Sequence, residues 1–296
     1  MKAMDAARFR VRPGQRVNLR EWDPADTRPF KNKRKAHGRL EQGIERLVSL
    51  QERLYAQDRW SVLLIFQAMD AAGKDSAIKH VMSGIDPKGC QVYSFKAPSD
   101  EELDHDFMWR TSKALPERGR IGIFNRSYYE ETLVVRVHPE FLAKQKLPQH
   151  LLTKNIWKER FEDIRGFERY LARNGFVILK FFLNVSRTEQ HRRFLDRLER
   201  PEKNWKFQFG DLAESERWKD YMAAYEEMIR ATAVPHAPWI VIPADDKKFA
   251  RTVVAAAVID ALNRLDLRFP AVDARQKREM GRARRMLARE SRRIKS

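Results

Sequence analysis

Residues 61–82 read SVLLIFQAMDAAGKDSAIKHVM, and the fold follows from how this stretch divides. Val62 to Phe66 is a short apolar run, of a length that suits a buried strand better than a helix. Small and polar residues follow, then Gly73-Lys74, then a helical pattern with Ile78, Val81 and Met82 on one face. A strand, a tight loop ending in Gly-Lys and a helix make a phosphate cradle. The helix start offers unpaired N–H groups and the positive end of its dipole, and Lys74 adds a full charge. The loop departs from the pattern G-x-x-x-x-G-K-[ST]: Ala68 stands at the first Gly and Asp75 at the Mg²⁺-binding hydroxyl. Asp70, inside the loop, could serve magnesium instead. Gly73 could also be ordinary turn punctuation, but the strand–loop–helix context favours phosphate.

The chain has 296 residues, enough for one large α/β domain or two small ones. Apolar content of 43% and charged content of 34% exclude a disordered chain. Cys90 is the one cysteine, so no internal disulfide can form, which fits a reducing compartment. No apolar stretch approaches the ~20 residues needed to span a bilayer, and the N-terminus lacks an apolar signal region. A cytoplasmic location is expected. The net charge of +18 points to a polyanion as partner: nucleic acid, an anionic membrane or a phosphate polymer. The basic residues gather near the candidate catalytic elements and in the tail.

Residues 1–36 read as an irregular arm across the domain, interrupted by Pro13, Pro24 and Pro29 and closing on the basic run from Lys31 to Lys35. Helical spacing begins at Leu40 and continues through Ile44, Leu47, Val48 and Leu54. After the loop unit, residues 89–95 offer a second strand. Ser99 to Glu102 is a capping box opening a helix with Leu103, Phe107 and Met108. Arg120 to Phe124 is a third strand that runs straight into Asn125-Arg126-Ser127-Tyr128-Tyr129-Glu130-Glu131. Polar and acidic residues just past a buried parallel strand sit where α/β sheets bind ligands. Glu130 and Glu131 each read equally well as a charge favoured by a helix N-terminus or as part of a magnesium-handling element.

Residues 150–173 are helical. The apolar run from Phe176 to Val185 suits a strand covered on both faces, and Lys180 within it needs a partner or a snorkelling route. Ser186 to Glu189 is a second capping box. The helix behind it carries Arg192, Arg193, Arg197 and Arg200, stops at Pro201, and is followed by Lys203, Trp205 and Lys206. A basic helix and loop here, about residues 187–212, occupy the place of a kinase lid. Asp211 to Glu214 reads as a third capping box, before a core stripe of Trp218, Tyr221, Met222, Tyr225, Met228 and Ile229. Trp239 to Ile242 is a fifth strand, and Asp245 or Asp246 caps a last amphipathic helix. Residues 37–270 are thus expected to form the main domain. Residues 271–296 are expected to be a basic tail, disordered or helical on a polyanion. Strands alternating with helices argue a parallel sheet in a three-layer α/β/α sandwich of the P-loop kinase kind, five-stranded with a helical lid.

The run from Gln67 to Asp75 resembles the modified phosphate loop of the polyphosphate kinase 2 family. So do Phe124 to Glu131 followed by Val134-Val135-Arg136-Val137, the lid-like stretch Arg200 to Phe207, and Ala237-Pro238-Trp239 to Pro243-Ala244. The resemblance spans roughly residues 7–268. It accounts for both departures in the loop, since the family keeps the Asp and Lys but neither the first Gly nor the hydroxyl. Asn125 replaces the Asp of many members and resembles the branch, often called class III, thought to phosphorylate nucleoside mono- and diphosphates.

The resemblance implies reversible, Mg²⁺-dependent transfer of a terminal phosphoryl group from inorganic polyphosphate to AMP or ADP, giving ADP and ATP. Asp70 would bind magnesium and orient the acceptor phosphate. Lys74 would hold phosphate together with the loop backbone of Ala71, Ala72, Gly73 and Asp75. Arg126 would clamp the transferring group, with Glu130 supporting metal or Arg126. Asn125 and Arg136 count among the nucleotide or polyphosphate contacts. Arg192, Arg193, Arg200, Lys203 and Lys206 are lid candidates, and Lys31 would line the channel. A homo-oligomer, dimer or tetramer, is expected from the family alone. The alternatives are an ATP-dependent nucleoside monophosphate kinase on the same fold and a nucleic-acid binder. The second lacks any helix–turn–helix or aromatic–basic interleaving, and no membrane partner is expected.

Overall fold

The computed structural model describes residues 6–28 and 33–294. The helix α1 (Lys33–Gln57) leads into β1 (Ser61–Gln67), α2 (Lys74–Val81) and β2 (Cys90–Ser94). Two short helices, α3 (Asp100–Leu103) and α4 (Trp109–Lys113), precede β3 (Ile121–Asn125). A 3₁₀ turn, Tyr128–Thr132, and the short α5 (Val134–Val137) and α6 (Pro139–Leu142) lead to α7 (Ile156–Arg173) and β4 (Phe176–Asn184). Then come α8 (Arg187–Glu199), α9 (Phe209–Glu216), α10 (Trp218–Thr232), β5 (Trp239–Pro243), α11 (Lys247–Asn263) and α12 (Ala274–Ile294).

The five strands form one sheet in the order β2-β3-β1-β4-β5, and each neighbouring pair is parallel. The expected sandwich is thus present. β1 lies at the centre, with Phe66 in register with Asn125 of β3 and Phe181 of β4. All its residues are buried, as the unbroken apolar run requires. Helices α1, α2 and α11 pack together on one side, and α7 and α10 on the other. The chain leaves β1 towards β2 but leaves β4 towards β5. The two connections diverge, and a crevice opens at the carboxyl ends beside β1.

The N-terminal arm closes one sheet edge. Arg10 bridges Ile240 antiparallel, Val11 N–H donates to the Trp239 carbonyl at 2.9 Å, and Phe9, Val11, Val17 and Leu19 are buried. An edge strand covered in this way presents no free ladder to another chain. The helix after the arm begins at Lys33, before the apolar spacing starts at Leu40.

Lys180 finds the partner its position demands. Its ammonium donates to Glu168 Oε2 at 2.7 Å, Tyr129 Oη at 2.8 Å and the Thr232 carbonyl at 2.8 Å. Burial pulls its pKa down to about 8, against the pull of Glu168. Cys90 is half-buried, and burial pushes its thiol up to about 11, which leaves it inert.

The three capping boxes fare differently. Ser99 and Glu102 make both halves of theirs. Ser186 accepts from Glu189 N–H at 3.1 Å, but the Glu189 carboxylate turns to Arg192 and Arg193. Asp211 caps nothing: α9 starts at Phe209, and Asp211 pairs with Arg197 at 2.9 Å. An ion pair with a half-buried guanidinium outweighs one N–H contact. The tail, expected to be ordered only on a polyanion, is a helix in the free chain.

Candidate active site

The loop between β1 and α2 turns sharply through two left-handed residues, Ala71 (φ 58°) and Gly73 (φ 105°). Glycine adopts that conformation without cost, whereas alanine there is strained by about 1–2 kcal/mol. Lys74 opens α2 and folds back over the loop, its Nζ donating to the carbonyls of Ala68 (2.7 Å) and Met69 (3.3 Å). Burial lowers its pKa, and Asp70, Glu130 and Asp75 oppose that shift.

Arg126 follows directly from β3 with φ 64°. Its N–H donates to the Phe66 carbonyl at 3.0 Å, tying the end of β3 to β1. Its guanidinium donates to Asp70 Oδ1 at 2.8 Å. Burial works against the guanidinium charge, but Glu130 and Asp70 outweigh it, so the group stays charged. Glu130 sits in the 3₁₀ turn. Burial pushes its carboxyl up, while Arg126, Lys74 and a hydrogen bond from Gln67 pull it back. Asp70, Lys74, Arg126 and Glu130 are therefore assembled in one place from three segments.

Glu131, one residue on, is turned away. It accepts from Arg160 Nε at 3.1 Å and Gln145 at 2.7 Å, and it is a buried structural carboxylate. Asn125 donates to Asp75 Oδ1 at 2.6 Å, so these two expected residues also meet beside the loop. An Asp at position 125 would set two carboxylates against each other there.

Arg193, expected among the anion contacts, has a different task. It is buried, with only 3% exposed. Nη1 donates to the carbonyls of Ala71 (3.0 Å) and Ala72 (2.6 Å), and Nη2 to those of Ala244 (2.7 Å) and Asp245 (3.1 Å). Nε is held by Glu189 at 2.7 Å. Gln190, also buried, donates to the Asp70 carbonyl at 2.9 Å and accepts from Ser215 Oγ at 2.8 Å. Helix α8 thus draws three successive loop carbonyls to its own side. Carbonyl and N–H of one peptide unit point in opposite directions, so this clamp helps turn loop amides the other way. Lysine at 193 would keep the charge but not the flat fork of donors. Arg193→Lys is expected to cut turnover roughly 10- to 100-fold, as sub-ångström loop displacement does. Steady-state kinetics beside a thermal melt would check this; unchanged kcat would show that the loop holds its shape unaided.

The other lid candidates stay at the surface, each engaged locally. Arg192 pairs with Glu189, and Arg200 and Lys203 pair with Asp196. Lys206 lies over the Trp205 ring at 4.9 Å. Arg136 does not reach the loop: it pairs with Glu227 of α10 at 2.6 Å, because α5 packs on α10. Lys31 lies outside the described residues.

A cavity of about 400 Å³ opens next to Arg126 and Glu130. Phe95, Phe107, Val134 and Phe141 line its apolar part, and Lys96 and Arg110 lie on its wall. Arg110 is oriented by the Lys96 carbonyl at 2.7 Å. Neither this cavity nor the parts of Gln67, Gln190 and Asp211 were foreseen from sequence; these three residues act on Glu130, on the Asp70 carbonyl, and on the charges of Asp70 and Arg126, respectively. Two of them carried a signal: Gln67 ends an otherwise apolar run, and Gln190 is an uncharged amide within a strongly charged helix.

Among the described residues no three His, Cys, Asp or Glu side chains gather into a metal cage. A magnesium ion does not need one, since it uses one or two carboxylates together with phosphate oxygens and water. The carboxylate of Asp70, partly exposed beside the loop, is a hard-oxygen donor of that kind.

The family model described as Polyphosphate kinase 2 (PPK2) matches residues 31–270. An ADP-polyphosphate phosphotransferase of Rhodopseudomonas palustris is 50% identical over 274 residues, 92% of this chain and 94% of the relative. An AMP/ADP-polyphosphate phosphotransferase of Meiothermus ruber is 42% identical over 264 residues, 89% of this chain and 95% of the relative. The crystal structure of Polyphosphate Kinase 2 from Arthrobacter aurescens TC1 superposes with a TM-score of 0.85 at 38% identity, covering 94% of this chain and 96% of that one.

Proposed function

The chain belongs to the polyphosphate kinase 2 family, and we propose that it transfers the terminal phosphoryl group of inorganic polyphosphate to AMP and ADP. The observation that carries this reading is the meeting of Lys74, Asp70, Arg126 and Glu130 between a phosphate loop and a nucleotide-sized cavity. An oxygen of the acceptor's terminal phosphate attacks the end phosphorus of the polymer. The bond from that phosphorus to the next bridging oxygen breaks, and the polymer leaves one phosphate shorter. Such transfer needs positioning and charge neutralisation rather than covalent catalysis.

Each residue has a part in this. The apolar cavity takes the nucleoside, with its phosphates towards Arg126. Phosphate entering the loop competes with two neutral carbonyls for Lys74, and a charge-assisted bond wins that competition. Arg126, kept charged by Asp70 and Glu130, bridges acceptor and transferring group. Asp70 would hold Mg²⁺, which neutralises phosphate charge and orients the oxygens when bound. Asn125 donates to Asp75, and the use of AMP as well as ADP rests on the resemblance of this Asn-bearing stretch to the class III branch. The reverse reaction and a dimeric or tetrameric working form are expected from the family resemblance alone. Among the described residues no helix is long and apolar enough to cross a membrane.

The test is ATP formation by the purified protein with polyphosphate and Mg²⁺, run separately with AMP and with ADP. ATP from both is expected. ATP from ADP alone would remove AMP as an acceptor. Turnover with ATP plus a nucleoside monophosphate, and none with polyphosphate, would favour the ATP-dependent kinase. Asp70→Asn is expected to slow transfer by roughly 100-fold or more. Added Mg²⁺ should not restore the rate, because the variant also weakens the hold on Arg126. A rate unchanged from the parent would remove Asp70 from the site.

A further inference from the structure

We propose that α12 is a capture arm for long-chain inorganic polyphosphate, a second polyanion site outside the catalytic one; the inference rests on the polyphosphate-dependent reading above. The family match ends at residue 270, so this helix is an addition to the domain. Residues 274–294 carry nine Arg or Lys against two Glu, a net of seven positive charges. At about 100° per residue, Arg278, Arg282, Arg285 and Arg289 fall on one stripe, at i, i+4, i+7 and i+11. With a rise of about 1.5 Å per residue, that stripe runs about 16 Å.

All four arginines are exposed. Within the described part of this helix the only ion pair recorded is Arg275 with Glu279, at 3.1 Å. The lid shows the contrast: Arg192, Arg200 and Lys203 are each met by a carboxylate of α8, Glu189 or Asp196. Among the described side chains the positive charge of residues 277–289 meets no carboxylate and is left for something else.

The chemistry of the stripe favours a bare phosphate chain. Eight of the nine cations are arginine, whose planar fork takes two phosphate oxygens at once. A lipid surface is disfavoured: the opposite face offers Met280, Ala283 and Leu287 but no aromatic anchor. A polymer held at α12 stays at high effective concentration near the loop, and only a chain long enough to reach both places gains from it.

The experiment compares the full chain, a chain ending at residue 272, and the full chain with Arg278, Arg282, Arg285 and Arg289 all changed to Gln. Residues 273–291 contribute nothing to the buried core, so the shortened chain keeps its fold. KM for long-chain polyphosphate is expected to rise about tenfold or more in both variants, with kcat and the KM for a short oligophosphate unchanged. Its dependence on salt should flatten in parallel. An unchanged KM for the long polymer in both variants would overturn the proposal. So would binding of the full chain to single-stranded RNA or phosphatidylserine vesicles as tight as to the polymer. A loss of oligomeric mass on shortening, with KM unchanged, would reassign α12 to contact with a second copy. If the full chain turned over neither long nor short polyphosphate, the catalytic reading itself would fall, a result distinct from these.

Discussion

Lys74→Ala is expected to lower kcat for polyphosphate-driven ATP formation by roughly a thousandfold or more while leaving a folded protein. Lys74 is the one basic residue between Gln67 and Asp75, and its ammonium is held by the carbonyls of Ala68 and Met69. Asp70, Glu130 and Asp75 all act on it electrostatically. Without it, those carboxylates face an incoming phosphate with less positive charge to offset them, and repulsion replaces attraction at the reaction centre. The structural loss is small: two side-chain hydrogen bonds, each worth about 1 kcal/mol net. Circular dichroism and a melt within a few degrees of the parent should accompany the lost turnover. Retention of near-full kcat would remove Lys74 from the phosphate site.

The second large effect is on stability. Lys180→Ala is expected to destabilise the fold by about 3–5 kcal/mol, the range for stranding one partner of a buried ion pair. Neither Lys180 nor Glu168 has any exposed side-chain surface. Glu168 also accepts from Tyr128 Oη at 3.0 Å and Tyr129 Oη at 2.7 Å. Both tyrosines belong to the turn that carries Glu130, so the buried pair supports the floor of the site. Lys180→Met combined with Glu168→Gln should be less damaging than Lys180→Ala alone, because no bare charge is left inside. Denaturant unfolding of the two variants measures the difference. Equal destabilisation would mean that packing, not charge, governs this position.

These two lysines show how far sequence reading reached. Lys74 was legible because its neighbours in sequence are its neighbours in space: strand, loop and helix start occupy consecutive residues. Lys180 was legible only as a need, an ammonium inside an apolar run. Its answer came from Tyr129, Glu168 and Thr232, on segments that no periodicity connects to β4. The arginines of α8 make the same point at closer range. Arg192 and Arg193 are adjacent, and composition treats them alike. A helix turns about 100° per residue, so Arg192 reaches solvent while Arg193 runs under the phosphate loop.

Residue type and spacing did not separate Glu130 from Glu131, and only the family resemblance singled out Glu130; a single step along a 3₁₀ turn separates them in space. One faces Arg126 and Lys74, the other Arg160 and Gln145. The cavity beside Arg126 was invisible for a related reason. Its walls come from residues 95–110 and 126–145, segments that carry ordinary core patterns when read singly.

The sequence by itself determined the parallel sheet, the phosphate loop and the polyanion-directed charge, since strand runs, helical spacing and net charge are properties of local order and composition. Only the tertiary structure decided which charged side chains face the loop, which brace it from behind and which stay in water. Those assignments depend on where distant segments meet, and on the cost of burying a charge that finds no partner there.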